Sequence, residues 1–436
     1  MNIQKIAVDL GNGGLKGALV RDRFGVLTTD ALPDFQTYLA SLEGVSPALA
    51  EKIVAHFDVQ AASALADPKQ LAVVSGVGAD KAATIHAAWL KQRETRLSVA
   101  TAYLPAKVGV GDMNLGSLSL GGFDAKHKRR GDKPDKPIQI ESEDGSYMVG
   151  PNVERYASVL ERFDASKYVE SPELRAVTRA LLAQIVDGGE SNVAIVVALP
   201  VAVMMSPAAK DMIKQIEAWL VGEHRFTYNG VAATICVHAI KAVAQPVGAF
   251  FAWGMNEHGV WARAESDFTD TTVAVLDSGF NTLDLLMVHQ GQIEKRFTGG
   301  ENLGVRVAAQ EIARALKARY GFRDSMHEAD ELIRRYLRDG KVVEVIAGQK
   351  VDLKSIVRQA LNSLATRTID FIQETWEENI ARFSYVLLTG GGALVLQDAL
   401  CRRIPHAEVL PNPVFANAVG LAKLAQRPNV FKNLRG

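Results

Sequence analysis

The apolar positions of this chain fall into two alternating kinds of segment. Short runs rich in valine, isoleucine, leucine and alanine occupy residues 3–9, 15–20, 192–199, 273–277, 282–288 and 385–389. Their length and the glycines or prolines at their ends predict strands, several of them buried on both faces. Between them, residues 172–186, 210–220, 303–319 and 357–380 carry apolar side chains at helical spacing. In the first of these, Leu174, Val177, Leu181 and Leu182 fall on one face, the pattern of a helix packed on a core. Strand and helix alternate through both halves of the chain, which predicts an α/β protein of two lobes, each organised on buried strands.

Three glycine-bearing segments interrupt this pattern. They are Asp9-Leu10-Gly11-Asn12-Gly13-Gly14-Leu15-Lys16, Leu276-Asp277-Ser278-Gly279-Phe280-Asn281-Thr282 and Leu388-Thr389-Gly390-Gly391-Gly392-Ala393. Each of the first two puts an Asp at a strand end, then a glycine turn, then a second strand, the order of a β-hairpin. Glycine allows positive φ and lets backbone N–H groups approach a polyphosphate without a Cβ in the way. Two such hairpins face to face could hold phosphates between them, with Asp9 and Asp277 placed to hold Mg²⁺ and its waters. Lys16 would neutralise phosphate charge. Taken singly, each turn is also compatible with an ordinary tight turn.

Their order and separation resemble the phosphate 1, phosphate 2 and adenosine motifs of the actin, Hsp70 and sugar kinase superfamily, and no G-x-x-x-x-G-K-[ST] competes with them. Two further stretches narrow the resemblance: Ala194-Ile195-Val196-Val197-Ala198-Leu199-Pro200-Val201 and Ala244-Gln245-Pro246-Val247-Gly248-Ala249-Phe250 look like those of the plasmid-segregation actins of the ParM type. The tail Asn412-Pro413-Val414-Phe415-Ala416-Asn417-Ala418-Val419-Gly420 is similar to that family's closing N-P-x-F-A-N-x-x-G and is expected to hinge the lobes. The resemblance covers residues 1–21 and 103–425. It implies an ATPase with ATP and Mg²⁺ as ligands. Gly11, Asn12, Gly13 and Gly14 with Ser278, Gly279, Phe280 and Asn281 would cradle phosphates, and Gly390, Gly391 and Gly392 would lie against adenosine. Gln245 would orient the attacking water beside Asp9 and Asp277; a helix cap is the other reading of Gln245. Head-to-tail filaments of self-associating subunits follow from the same resemblance.

Residues 30–98 depart from that family. Here Leu39-Ala40-Ser41-Leu42-Glu43-Gly44-Val45-Ser46-Pro47-Ala48-Leu49-Ala50-Glu51-Lys52-Ile53 is echoed at an offset of 32 by Leu71-Ala72-Val73-Val74-Ser75-Gly76-Val77-Gly78-Ala79-Asp80-Lys81-Ala82-Ala83-Thr84-Ile85, an internal duplication. Each copy resembles a helix-hairpin-helix, and the stretch looks like the tandem modules of DNA repair proteins and helicases. A tight turn feeding a helix N-terminus aims N–H groups outward, where phosphate is welcome. Gly44, Ser46, Lys52, Gly76, Gly78 and Lys81 are the candidate DNA contacts, and such contacts carry no sequence information. Against this, Lys52, Lys69, Lys81, Lys91, Arg93 and Arg96 are outnumbered by Asp30, Asp34, Glu43, Glu51, Asp58, Asp67, Asp80 and Glu94. Counterion release is then modest unless the cations share a face. A basic run from Lys126 to Lys136 reads as a solvated loop, with DNA or polymer neighbours as its alternative partners.

Bulk properties bound these readings. At 436 residues the chain is long for one core, and its lobes are expected over 1–21 with 103–258 and over 270–425. Zero net charge gives no global field toward nucleic acid or membrane, so any DNA contact is local. Cys236 and Cys401 show no C-x-x-C spacing and read as small buried residues of a reducing compartment. No signal h-region or bilayer-spanning stretch is evident, which predicts a cytoplasmic protein without membrane contact. The leading expectation is an ATP-hydrolysing, filament-forming bacterial actin that carries plasmid or phage DNA through its insert. One rival is a cytoskeletal scaffold whose insert docks a protein. Another is a small-molecule kinase of the same superfamily, for which no sugar-binding pattern is present.

Overall fold

The computed structural model describes residues 3–11, 14–22, 24, 27, 29–92, 96–110, 136–153, 156–159, 171–186, 189–321 and 326–431. Asn12, Gly13, Arg93, Glu94 and the basic run up to 135 lie outside the described residues. The chain forms two compact units, residues 20–100 and the remainder, 1–19 with 101–436.

Two sheets organise the larger unit. In the first, the strand Gln4–Gly11 pairs antiparallel with Gly14–Asp22 and parallel with Glu190–Leu199, which pairs parallel with Val231–Ala244. In the second, Thr272–Ser278 pairs antiparallel with Leu283–His289 and parallel with Tyr385–Thr389. Each sheet is thus centred on a strand that ends in one of the glycine turns. The expected strands at 3–9, 192–199, 273–277 and 385–389 are all present, because continuous apolar runs suit strands covered on both faces. Val231–Ala244 was not evident in the sequence; its buried residues alternate at Ala233, Ile235 and Val237 until a bulge between Val237 and Ala239 shifts the register.

Helices cover both sheets. Pro172–Ile185 begins at Ser171, whose Oγ accepts from the Leu174 N–H at 3.3 Å, with Pro172 in the first turn. Its Leu174, Val177 and Leu181 pack with Ile6, Val8, Ile195 and Val197 in one core. Around the second sheet, Arg306–Tyr320 and Lys354–Trp376 enclose Leu276, Leu285, Ile312, Leu364 and Leu388. The first of these starts later than the periodicity from 303 suggests, because Gly304, Val305 and Arg306 donate their N–H groups to Asn281, Gly279 and Phe280 carbonyls. Cys236 and Cys401 are free and half-buried, not fully buried as expected. Among the described residues no helix is long and apolar enough to cross a membrane.

The smaller unit is helical, with Leu32–Leu39, Pro47–Phe57, Ala61–Leu65, Pro68–Leu71 and Ala79–Lys91. Duplication shows in its core, where Leu39 and Leu71, Leu42 and Val74, Val45 and Val77, and Ile53 and Ile85 are all buried. Each hairpin closes with a bond from the valine N–H, Val45 to Leu42 and Val77 to Val74. Arg96 is buried over the Trp89 ring, 3.5 Å from its centroid, and donates to Asp22 Oδ2 at 2.8 Å.

Candidate functional site

Strand register fixes the chemistry at the first hairpin. Asp9 stands directly opposite Lys16, so the two side chains share a face. Lys16 Nζ lies 3.2 Å from Asp9 Oδ2, and the other oxygen accepts from Gln245 Nε2 at 2.6 Å. Asp9 is 1% exposed and Gln245 6%. Gln245 opens the helix Gln245–Gly254, but the cap position is Ala244 with no side-chain bond. The amide is therefore directed at Asp9, and capping does not account for it.

The second hairpin repeats the arrangement. Asp277 is buried and its Oδ2 accepts from Asn417 Nδ2 at 2.6 Å. Asn417 belongs to the first turn of the helix Ala416–Ala425. Each Asp thus holds the amide of a residue at the start of a helix, Gln245 for one and Asn417 for the other. Sequence reasoning gave Asn417 only a hinge. The echo between Gln245-Pro246-Val247-Gly248 and Asn417-Ala418-Val419-Gly420, amide then Val-Gly, is the signal that could have revealed it. At the fourth position of both segments stands a glycine because the two helices cross there.

A third buried carboxylate, Asp284, stands opposite Asp277 across the second hairpin. Its Oδ1 accepts from the Val201 N–H at 2.9 Å and its Oδ2 from the Thr282 hydroxyl at 3.0 Å. A methyl on Gly300 would come under 3.0 Å from the Asp284 carboxylate. Its signal in the sequence was a lone charge inside the apolar run Leu283-Asp284-Leu285-Leu286.

The electrostatics tie these groups together. Burial alone would lower the Lys16 ammonium, but the Asp9 and Asp277 carboxylates override it and hold it above the ordinary lysine value. Lys16 therefore feels both aspartates. Burial pushes Asp277 up to about 6, with Lys16 opposing the rise and Asp9 adding to it. Burial also pushes Asp284 up to about 7, reinforced by Asp277. Excess negative charge is buried at this point. Among the described residues, no group of three or more His, Cys, Asp or Glu is arranged to hold a metal ion directly.

The glycines of the turns have distinct jobs. A methyl on Gly390, whose φ is +84°, would meet the Ser278 carbonyl and Asp277 Oδ1, and one on Gly392 would meet Ser278 Oγ. These two glycines admit the second hairpin, whereas Gly391 faces open space. Gly14 lies against the Tyr103 ring. In the second turn the Gly279 N–H donates back to the Thr282 carbonyl at 2.8 Å, and the carbonyls of Gly279, Phe280 and Asn281 are held as described above. Gly11 ends the first strand; Asn12 and Gly13 are outside the described residues.

In the smaller unit Gly44, Ser46, Lys52, Gly76, Gly78 and Lys81 are all exposed. Gly44 and Gly76 have φ of +82° and +88°, the conformation that requires glycine. Ser46 and Gly78 instead have extended backbone at the helix starts. Ser46 thus replaces a glycine without strain, and its Oγ accepts from the Leu49 N–H at 3.3 Å. The hairpins differ in surroundings: Thr84 and Ile85 flank Gly44, while nothing lies near Gly76 or Gly78. Arg96, counted among the candidate cations, is buried and ion-paired.

Comparison with known proteins places these elements. The model "Actin like proteins N terminal domain" matches residues 87–248, and "Archaeal actin homologue MreB-like, C-terminal" matches 275–402. "SAM-like Helix-hairpin-helix tandem" matches 36–89. Among solved structures, a non-polymerisable quadruple mutant of pCBH ParM is 17% identical at a TM-score of 0.63, covering 98% of this chain and 99% of that one. A 15-stranded ParM filament from Clostridium botulinum is 17% identical with a TM-score of 0.61, again over 98% and 99%. An archaeal actin homologue in complex with ADP is 16% identical with a TM-score of 0.55, over 76% of this chain and 96% of that one. No curated protein matches the chain. With two actin-like domain matches following a helical tandem, on a fold shared with ParM and archaeal actin homologues, the chain is an actin-like protein carrying a helix-hairpin-helix module.

Proposed function

We propose that this protein binds Mg²⁺ and ATP between its two glycine hairpins, hydrolyses the nucleotide as it assembles into a head-to-tail filament, and attaches that filament to DNA through the helical insert. The observation that carries the reading is the convergence of Asp9 and Lys16 on the first sheet with Asp277 on the second, each aspartate holding a helix-start amide, Gln245 or Asn417, on one buried, negatively charged point. Ser278 Oγ and Asn417 Oδ1 are buried there without a hydrogen-bond partner, and Asp277 and Asp284 carry raised values. Such a place suits a cation arriving with phosphate, and Asp9 and Asp277 would hold it through water. When bound, Mg²⁺ neutralises phosphate charge.

The chain's own residues do the rest by position. Lys16 would turn from Asp9 toward phosphate oxygens, and backbone N–H groups around Gly11 to Gly14 and Ser278 to Asn281 would cradle them. Gly391, open to space, is the backbone against which adenosine would rest. Gln245, fixed by Asp9, would orient the attacking water. Because both lobes contribute, turnover would alter the angle between them and time disassembly. The cytoplasm of a bacterium is the expected setting.

At the insert, Gly76 and Gly78 leave a hairpin open for a DNA phosphate, with Lys81 on the following helix; Gly44, Ser46 and Lys52 would form a second, more enclosed contact. The burial of Arg96 and the excess of acidic residues favour the second reading, a scaffold filament whose insert docks a protein. Sedimentation with Mg²⁺ and ATP, ADP or a non-hydrolysable analogue, with and without duplex DNA, decides between them. Polymer that carries DNA, and loses it in a Lys52→Gln, Lys81→Gln variant, supports attachment. Nucleotide-dependent polymer that leaves DNA in the supernatant would sink attachment and keep the scaffold. Turnover that depends on an added small acceptor, with nothing sedimenting, would sink both in favour of a kinase.

A further inference from the structure

The turn between the strands Thr272–Ser278 and Leu283–His289 is held from behind by the start of the helix Arg306–Tyr320. Gly304 N–H donates to the Asn281 carbonyl at 3.0 Å, Val305 N–H to Gly279 at 3.1 Å and Arg306 N–H to Phe280 at 2.7 Å. A helix leaves its first N–H groups without partners of its own, and here the turn supplies them. Leu303, Val305, Ala308 and Ala309 root this helix start in the core of the second sheet. Gly304 lies so close to the turn that a methyl on it would fall under 3.0 Å from the Phe280 carbonyl oxygen. Every peptide bond among the described residues is trans, so each carbonyl and the N–H of the next residue point in opposite directions. With the carbonyls of Gly279, Phe280 and Asn281 drawn toward the helix, the N–H groups of Phe280, Asn281 and Thr282 face the other way. Among the described residues none of these three N–H groups meets an acceptor. The Gly279 N–H, by contrast, is spent on the Thr282 carbonyl at 2.8 Å.

We infer that Gly304, Val305 and Arg306 are positioning residues, a brace that aims the N–H groups of Phe280, Asn281 and Thr282 together at phosphate. This deepens the nucleotide-binding reading and rests on it. Gly279, the glycine to which the motif itself points, contributes shape to the turn and no donor to the ligand. The brace matters because a peptide unit can rotate: unheld, any of these carbonyls could swing round and present an oxygen, which repels an anion, where an N–H attracts it. Three successive carbonyls tied to a helix rooted in the core remove that freedom before the ligand arrives, so no reorganisation is needed when it binds. The brace acts on phosphate alone, since no part of it bears on the backbone at Gly391 proposed to meet adenosine.

A backbone donor can be deleted at Val305, whose φ of −56° is one that proline adopts. Val305→Pro removes the N–H that holds the Gly279 carbonyl; Val305→Ala trims the same side chain and keeps the N–H. Competition of ATP with Mg²⁺, and separately of adenosine, against N-methylanthraniloyl-ATP reads the outcome. Val305→Pro should bind ATP about tenfold more weakly than Val305→Ala, as expected for a misaligned hydrogen bond to a charged group, with adenosine unchanged within about twofold. ATP binding equal in the two variants, or ATP and adenosine weakened alike, overturns the brace and leaves nucleotide binding intact. Residue-resolved amide exchange on the wild type tests it without a variant. In the ligand-free protein the amides of Gly304, Val305 and Arg306 should exchange slowly and those of Phe280, Asn281 and Thr282 fast, and Mg²⁺ with ATP should slow the latter three. Protection of these three before ATP is added, or none after ATP has bound, overturns the brace equally. Failure of the wild type to bind ATP at all would instead overturn the nucleotide reading, and the brace with it.

Discussion

Gly248 and Gly420 meet where the helices Gln245–Gly254 and Ala416–Ala425 cross, so closely that a methyl on Gly420 would overlap the Gly248 carbonyl and one on Gly248 would overlap the Asn417 carbonyl. The crossing sets the two amides at the helix starts against their aspartates, since Gln245 and Asn417 each lie three residues before a crossing glycine.

Replacing Gly420 by alanine would therefore force backbone apart, with no flexible side chain available to yield. We expect Gly420→Ala to destabilise the protein by about 3 kcal/mol or more, in the range of severe overpacking, read as a lower midpoint in urea unfolding. Gly391→Ala is the control. Nothing lies within 4 Å of the added methyl, so stability should stay within about 0.5 kcal/mol of wild type, while nucleotide affinity falls if adenosine rests on that backbone. Equal stability losses in the two variants would refute the crossing argument.

Asp277 and Asp284 give stability a pH dependence whose sign follows from their raised values. A carboxyl that holds its proton more tightly when folded stabilises the native state below its unfolded value near 4, and that contribution is lost as pH climbs through about 6 for Asp277 and about 7 for Asp284. The ligand-free protein should thus lose stability between pH 4 and 7. Asp284→Asn keeps an acceptor for the Val201 N–H and removes the charge. Its melting temperature should match the wild type near pH 4 and exceed it at pH 8, by a few kcal/mol at most in stability terms. Adding Mg²⁺ and nucleotide should shrink that advantage, because a cation stabilises the ionised wild-type carboxylate. A gap that is constant across pH would show that Asp284 stays ionised throughout.

How much of this could be read beforehand depended on whether the information was local. Asp9, Lys16 and Asp277 stood out because an acid at the end of an apolar run, followed by glycines, is a pattern contained within a few residues. The strands at 273–277 and 385–389 were legible for the same reason. Asn417 and Asp277 are 140 positions apart, and only the echo between the Gln245 and Asn417 segments hints that they meet. Val231–Ala244 was hidden by its bulge, which breaks the alternation that marks a half-buried strand. In the insert the duplication was plain, but Arg96 passed for a surface cation because sequence cannot show that Trp89 and Asp22 enclose it.

Gln245 and Asn417 hold their aspartates at the same 2.6 Å, yet the proposed mechanism gives them unequal work. Gln245→Ala should lower steady-state phosphate release by about 10² to 10³ while nucleotide affinity changes less than tenfold, the pattern of a lost transition-state contact. Asn417→Ala should weaken nucleotide binding instead, since Asp277 would lose the donor that orients it. Two variants with the same ratio of turnover to affinity would remove the distinction and leave both amides as positioning residues only.

Arg96 makes a separate prediction about the insert alone. Its guanidinium is 2% exposed, lies over Trp89, donates to the Trp89 carbonyl and pairs with Asp22 at 2.8 Å. Asp22 stands where the chain enters the helical unit and Arg96 where it leaves, so the pair closes the unit at its base. Removing one partner of a buried pair strands the other and costs about 3 to 5 kcal/mol, more than the duplicated core of so small a unit can absorb unnoticed. Arg96→Met should therefore raise amide hydrogen exchange through the helices Pro47–Phe57 and Ala79–Lys91. Exchange in the strands Gln4–Gly11 and Thr272–Ser278 should stay at wild-type rates. If DNA is retained through the hairpins, the same variant should release it without loss of nucleotide turnover. Uniformly faster exchange in both units would show that the insert does not unfold on its own, and unchanged exchange in the helices would show that the pair at its base stabilises nothing.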